Sequence, residues 1–75
     1  MTLRDLAVGA SAVLGEPGVD LVQRRRLAEL GLRRGEAVRM VQHSVGGARV
    51  VSVRGSRIAL DARTASRLPL EEGSR

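Results

Sequence analysis

Three consecutive stretches near the middle of the chain carry apolar residues at every second position. AVRMVQHS at 37–44 puts Val38 and Met40 on one face, ARVVSVRG at 48–55 does the same with Val51 and Val53, and SRIALDA at 56–62 with Ile58 and Leu60. Alternation of this kind predicts strands with one buried face. The six aliphatic side chains are then one inner wall. Gly55-Ser56, with glycine at the first turn position, reads as a two-residue hairpin joining the last two strands. That register would set Arg54 opposite Arg57, a like-charge pair tolerable only in water or against an acidic partner.

The flanks complete the pattern. TLRDL at 2–6 starts with Thr2 and puts Asp5 three residues on, a capping-box-like start for a single turn. After Gly9, ASAVLGE at 10–16 reads as a strand, ended by Pro17-Gly18. Asp20 and Gln23 mark a helix start, and Gly31 its end, so a helix is predicted over about 20–30. If Gly31 is left-handed, Leu32 falls where it touches Leu27, the apolar contact of a Schellman ending. Asp61 can cap a turn at ARTAS, and LPLEE at 68–72 supplies a last strand. Pro69 cannot donate to a ladder, which makes that strand an edge or a barrel seam. The prediction is a mainly β domain: a small, partly open barrel of about five short strands, with one helix between the first two.

On the helical wheel, Leu21, Leu27, Ala28 and Leu30 spread over one broad side. Arg25 and Arg26 point elsewhere with Glu29, and Arg24 falls within the apolar arc, where its methylene stem could pack. This predicts a helix lying on the barrel, with an exposed Arg25–Glu29 pair worth roughly 0.2–0.5 kcal/mol.

Composition narrows the function. At 75 residues there is room for a single domain over 1–75, with 71–75 expected as a flexible tail. Apolar residues are 43% and charged residues 28%, the balance of a folded chain. The chain has no aromatic residue and no cysteine. Stacking on bases, an aromatic-lined proline groove, disulfides and cysteine-based zinc sites are therefore all disfavoured. The formal charge of +5, carried by arginine with no lysine, favours an acidic partner surface without choosing among nucleic acid, anionic lipid and protein. The N-terminus never reaches a signal-peptide apolar run, and no window approaches the ~20 apolar residues of a membrane span, so a cytoplasmic protein is expected.

Three blocks, TLRDLAVG, RRRLAELGLRRGEAVRM and VVSVRGSRIALDARTASRL, resemble the ferrous iron transport protein A (FeoA) family. The middle block is the most specific, because it joins the helix, its glycine stop and the entry to the next strand. The likeness covers roughly residues 2–70. It implies an SH3-like barrel and accessory work for a FeoB-type membrane ferrous-iron transporter, through that protein's cytoplasmic GTP-binding part. It also implies a location in the cytoplasm, at the inner face of the membrane through the partner. One departure is HSVGGA at 43–48, where family members often carry a Pro-Leu-Gly type segment, so Gly46-Gly47 would loosen the loop.

The candidate residues follow from weighing chemistry against ordinary roles. His43 is the only histidine. As a ligand it would need two or three companions, and Glu36 and Asp61 are the nearest in sequence, so no metal site and no cofactor is assigned. His43 and Ser44 are adjacent in a strand and project to opposite faces, which prevents a shared proton. No paired carboxylates or phosphate-binding glycine loop appear, and no enzyme is expected. The helix is too short and lacks Trp or Phe for membrane insertion. Phosphate contact needs only arginine, but single-strand readout by small barrels adds rings, so direct nucleic-acid binding is not expected. The expected partner surface is Arg25, Arg26, Arg33 and Arg34 around Leu32 as apolar anchor, with the loop from His43 to Gly47 as a second contact. Self-association stays open. The alternative reading is an SH3-like module of a metal-dependent transcriptional regulator, or a small nucleic-acid-binding barrel.

Overall fold

Four antiparallel strands, β1 (Ser11–Val13), β2 (Ala37–His43), β3 (Arg49–Val53) and β4 (Ser56–Leu60), form one sheet in chain order in the computed structural model, which describes residues 1–71. Helix α1 (Leu21–Glu29) lies between β1 and β2, and a short helix α2 (Ala62–Ser66) follows β4. The alternation read from the sequence is the observed one. Val38, Met40, Val51, Val53 and Leu60 are buried and Ile58 packs against them. Leu3, Leu14, Leu32 and Leu68 close this aliphatic core from the segments outside the sheet.

The expected fifth strand is reduced to two isolated bridges, Thr2 to Pro69 and Leu14 to Leu70. Pro69 has no N–H to give, but its carbonyl accepts from Gly15 N–H at 2.8 Å. On the other side Leu68 O accepts from Leu3 N–H at 2.8 Å, and Leu70 N–H donates to Met1 O at 3.0 Å. The segment is thus stitched to the N-terminal residues on one side and to the end of β1 on the other, and forms the seam of the barrel. Glu71, placed in the expected tail, belongs to that seam, since its N–H donates to Val13 O at 2.7 Å. The rest of the expected tail, 72–75, lies outside the described residues.

The β3–β4 turn differs from expectation by two residues of register. Val53 pairs with Ser56 and Ser52 with Arg57, so the turn residues are Arg54 and Gly55, not Gly55 and Ser56. Their φ angles of 51° and 81° are those of a type I′ turn, whose twist matches the flanking strands. Arg54 does not face Arg57. It swings away, and its Nε donates to Glu36 Oε1 at 2.9 Å.

Helix α1 starts and stops as its sequence requires. Asp20 Oδ1 accepts from Gln23 N–H at 2.8 Å. At the other end Gly31 has φ 94°, with Leu32 N–H donating to Leu27 O at 2.8 Å and Gly31 N–H to Ala28 O at 2.9 Å. These two bonds are the Schellman pair. Burial departs from the wheel, however. Leu27 is the one fully buried residue of the helix, while Leu21 and, just past its end, Leu30 are 61% and 52% exposed. The helix of about two and a half turns meets the barrel near its C-terminal end, where the Schellman ending drives Leu27 and Leu32 inward. Arg24 is drawn to Glu16, 2.9 Å away, and Arg25 forms no ion pair with Glu29.

Candidate partner-binding surface

The residues expected to bind a partner divide into three groups. Arg25 and Arg26 are exposed on α1, and Arg33 is exposed in the turn after it. None of the three has an ion-pair partner among the described residues. Arg34 is exposed too, with its Nε 3.7 Å from Glu71 Oε1, a loose pair that solvent largely screens.

Leu32 corrects the expectation. It is 0% exposed in the centre of the core, so it has no surface to offer as an anchor. The same ending that brings Leu32 back to Leu27 carries it under the sheet. Apolar surface is nevertheless present beside the arginines. Leu21 and Val22 stand 61% and 64% exposed on α1, and the periodicity gave no sign that they lack cover. Val22, Gln23, Arg26 and Leu27 form one wall of a cleft of about 470 Å³, whose other wall is Ala59, Leu60, Asp61 and Thr64. The cleft lining thus mixes the apolar Val22, Leu27, Ala59 and Leu60 with the Arg26 guanidinium and two cap carboxylates, Asp20 and Asp61.

His43 sits elsewhere. Arg33 and Arg34 precede the start of β2 and His43 ends it, a strand about 20 Å long at about 3.3 Å per residue. Its Nε2–H donates to Leu6 O at 2.9 Å. Across the strand pair, Arg49 donates from Nε to Arg4 O at 3.2 Å and from Nη1 to Gly47 O at 2.9 Å. The two side chains together tie the N-terminal turn (Leu3–Asp5) to the sheet, a structural use of His43 that sequence reasoning missed. The loop beyond it is a tight turn with Gly46 and Gly47 at φ 80° and 85°, and Val45 at its tip is fully exposed. Glu36 and Asp61 do not join His43, since Glu36 holds Arg54 and Asp61 caps α2. Among the described residues no group of three His, Asp or Glu is placed to hold a metal ion.

The resolved electrostatic shifts all hold charge in place. The Thr2 backbone N–H holds the Asp5 carboxyl below its usual range, and the Thr64 N–H, 2.6 Å away, does the same for Asp61. The Arg54 hydrogen bond lowers Glu36, and Glu36 in turn raises Arg54. A group tuned for proton transfer is shifted the other way, towards neutrality at working pH. No helix of the described residues is long and apolar enough to cross a membrane.

A family model described as the FeoA domain matches residues 1–72. Among solved structures, the chain is similar to FeoA of Stenotrophomonas maltophilia, described as a complex with zinc and as an SH3 domain protein possibly acting as a ferrous iron transport activating factor. The identity is 35%, the match covers 99% of this chain and 93% of that one, and the TM-score is 0.81. The FeoA protein from Chlorobium tepidum matches at 25% identity over 97% of this chain and 75% of that one, with a TM-score of 0.85. A manganese-dependent transcriptional repressor matches at 16% identity over 91% of this chain and 39% of its own, with a TM-score of 0.80, a likeness of fold alone. No curated protein matches.

Proposed function

The chain belongs to the FeoA family, and from that premise we propose that it is a non-enzymatic accessory protein of ferrous iron uptake that docks on the cytoplasmic GTP-binding part of a FeoB-type transporter. The protein works in the cytoplasm, brought to the inner face of the membrane by that partner. The observation that carries the docking surface is the uncovered outer side of α1: Leu21 and Val22 remain mostly exposed beside Arg25 and Arg26, which have no acidic partner of their own among the described residues.

In a fold this small, exposed apolar side chains within a basic surface suit a partner with an apolar patch and an acidic rim. Leu21 and Val22 would enter the partner's apolar surface in the role first given to Leu32. Arg25, Arg26, Arg33 and Arg34 would set encounter rate and orientation. The loop from His43 to Gly47, with Val45 exposed at its tip, is a second contact on a separate part of the surface.

Titration of isotope-labelled protein with the soluble cytoplasmic domain of the transporter tests this. The expected result is amide shift changes confined to α1, the 30–34 turn and the 43–47 loop, lost in the Arg25→Glu/Arg26→Glu variant. Unchanged spectra at near-physiological salt would remove the reading.

A further inference from the structure

The outer face of the sheet holds an arrangement that the docking surface does not use. The register aligns Ser11 of β1 with Arg39 of β2, Arg39 with Ser52 of β3, and Ser52 with Arg57 of β4. One rung across the sheet therefore reads Ser, Arg, Ser, Arg. Strand alternation puts Val38, Val51 and Ile58 on the core side, so the neighbours Arg39, Ser52 and Arg57 point outward together. The other outward positions nearby, Val50 and Ala59, carry no carboxylate. Neither the Arg39 nor the Arg57 guanidinium makes a hydrogen bond or ion pair with any described residue, whereas Arg24, Arg34 and Arg54 all have acidic partners. Arg39, Ser52 and Arg57 also line one recess of about 290 Å³, walled by Val8, Gly9, Met40 and Val41.

We propose that this recess is an oxyanion site that takes a phosphoryl group between the two guanidiniums. Strands about 4.8 Å apart put the Arg39 and Arg57 backbones about 10 Å from each other, with the Ser52 hydroxyl midway. Two forks can then converge above Ser52. A carboxylate offers about four lone-pair sites on two oxygens, fewer than the five donors of two forks and a hydroxyl. A phosphoryl group has three terminal oxygens, enough for both forks and the hydroxyl together. The donor count therefore favours the phosphoryl group. Val8 and Val41 give an apolar edge for the carrier, and with no aromatic residue in the chain, base stacking contributes nothing to its recognition.

The site lies on the outer sheet face and does not rest on the docking proposal. Its test is a titration of labelled protein with inorganic phosphate at constant ionic strength, beside sodium chloride and sodium acetate. Saturable changes at the Arg39, Ser52 and Arg57 amides are expected with phosphate only. Arg57→Gln and Arg39→Gln, both at exposed positions, should each weaken binding at least about tenfold, and Arg57→Lys should not restore it, because the fork is lost. Vesicles containing phosphatidic acid form a second arm: saturation there and not with phosphate, again lost in Arg57→Gln, assigns a lipid-borne phosphoryl group. Equal response to acetate or chloride, or undiminished binding by Arg57→Gln, would overturn the site.

Discussion

Leu32 donates its backbone N–H to the carbonyl of Leu27 at 2.8 Å, and both side chains are buried in the same core. The bond spans Gly31, whose φ of 94° lets the chain reverse off α1 into the approach to β2. A Cβ at Gly31 would meet the Val53 methyls at 3.5 and 3.7 Å, ordinary contact distances, so space is not the obstacle. Gly31→Ala should therefore cost the left-handed conformation alone, roughly 1–2 kcal/mol. Thermal unfolding should show a drop of roughly 4–8 °C for each kcal/mol in a domain of this size.

Leu32→Ala separates a core role from a contact role. Truncating a fully buried leucine costs about 2–5 kcal/mol, which would leave much of so small a domain unfolded. Leu21→Ala, at an exposed position, should stay within about 0.5 kcal/mol of the parent. Urea unfolding of the two variants checks this, and comparable losses would mean that α1 packs more closely than the structure describes.

These two leucines also mark what could be read in advance. Periodicity gave the strands, the helix and the inner wall, because a half-buried sheet imposes alternation and a Schellman ending requires its glycine. The same reasoning already paired Leu32 with Leu27, so its burial followed from the ending, and its place beside Arg33 and Arg34 said nothing about exposure. The β3–β4 register was not legible from hydrophobicity, since a two-residue slip leaves every side chain on its own face. Nor could the wheel tell that Leu21 and Leu30 are left uncovered, because an apolar arc reports what could be buried and not whether another element reaches it.

Acid should destabilise the fold through groups that can be named. Asp5, Asp61 and Glu36 sit below their ordinary values of 3.8, 3.8 and 4.5, held there by Thr2, Thr64 and Arg54. A carboxyl whose folded value is lower contributes its stability in full above the ordinary value, and loses it as pH falls through the folded one. Unfolding measured from neutral pH downwards should therefore be flat until the ordinary values and decline beneath them. Asp61→Asn keeps a capping oxygen and removes the titration, so its acid decline should be shallower. An unchanged slope would mean that the Asp61 cap is not formed.

Arg54 sits at φ 51°, a costly conformation for arginine, at the first position of the type I′ turn. Asparagine is favoured there before glycine. Arg54→Asn relieves the backbone but gives up the 2.9 Å pair with Glu36. In about 1 M salt, where the screening length is about 3 Å, an exposed pair contributes little. The variant should therefore gain thermal stability relative to the parent as salt is raised. A salt-independent difference would show that the ion pair contributes nothing to fold stability.

Gly46 and Gly47 look equivalent in the sequence, and both have positive φ, yet their surroundings differ. A Cβ at Gly46 would meet nothing within 4 Å, whereas one at Gly47 would come 2.9 Å from the Ala62 Cβ at the start of α2. The loop is thus pressed against α2 at Gly47, and its glycines permit close packing where the sequence suggested looseness. Gly46→Ala should cost only the backbone term, roughly 1–2 kcal/mol. Gly47→Ala should cost that and a displacement of the loop from α2, visible as amide shift changes at Ala62 and Arg63. Ala62→Gly removes the atom in conflict, so in the double variant the excess should vanish while the backbone cost remains, a coupling that a double-mutant cycle measures directly. Additive losses would show that the loop does not rest on α2.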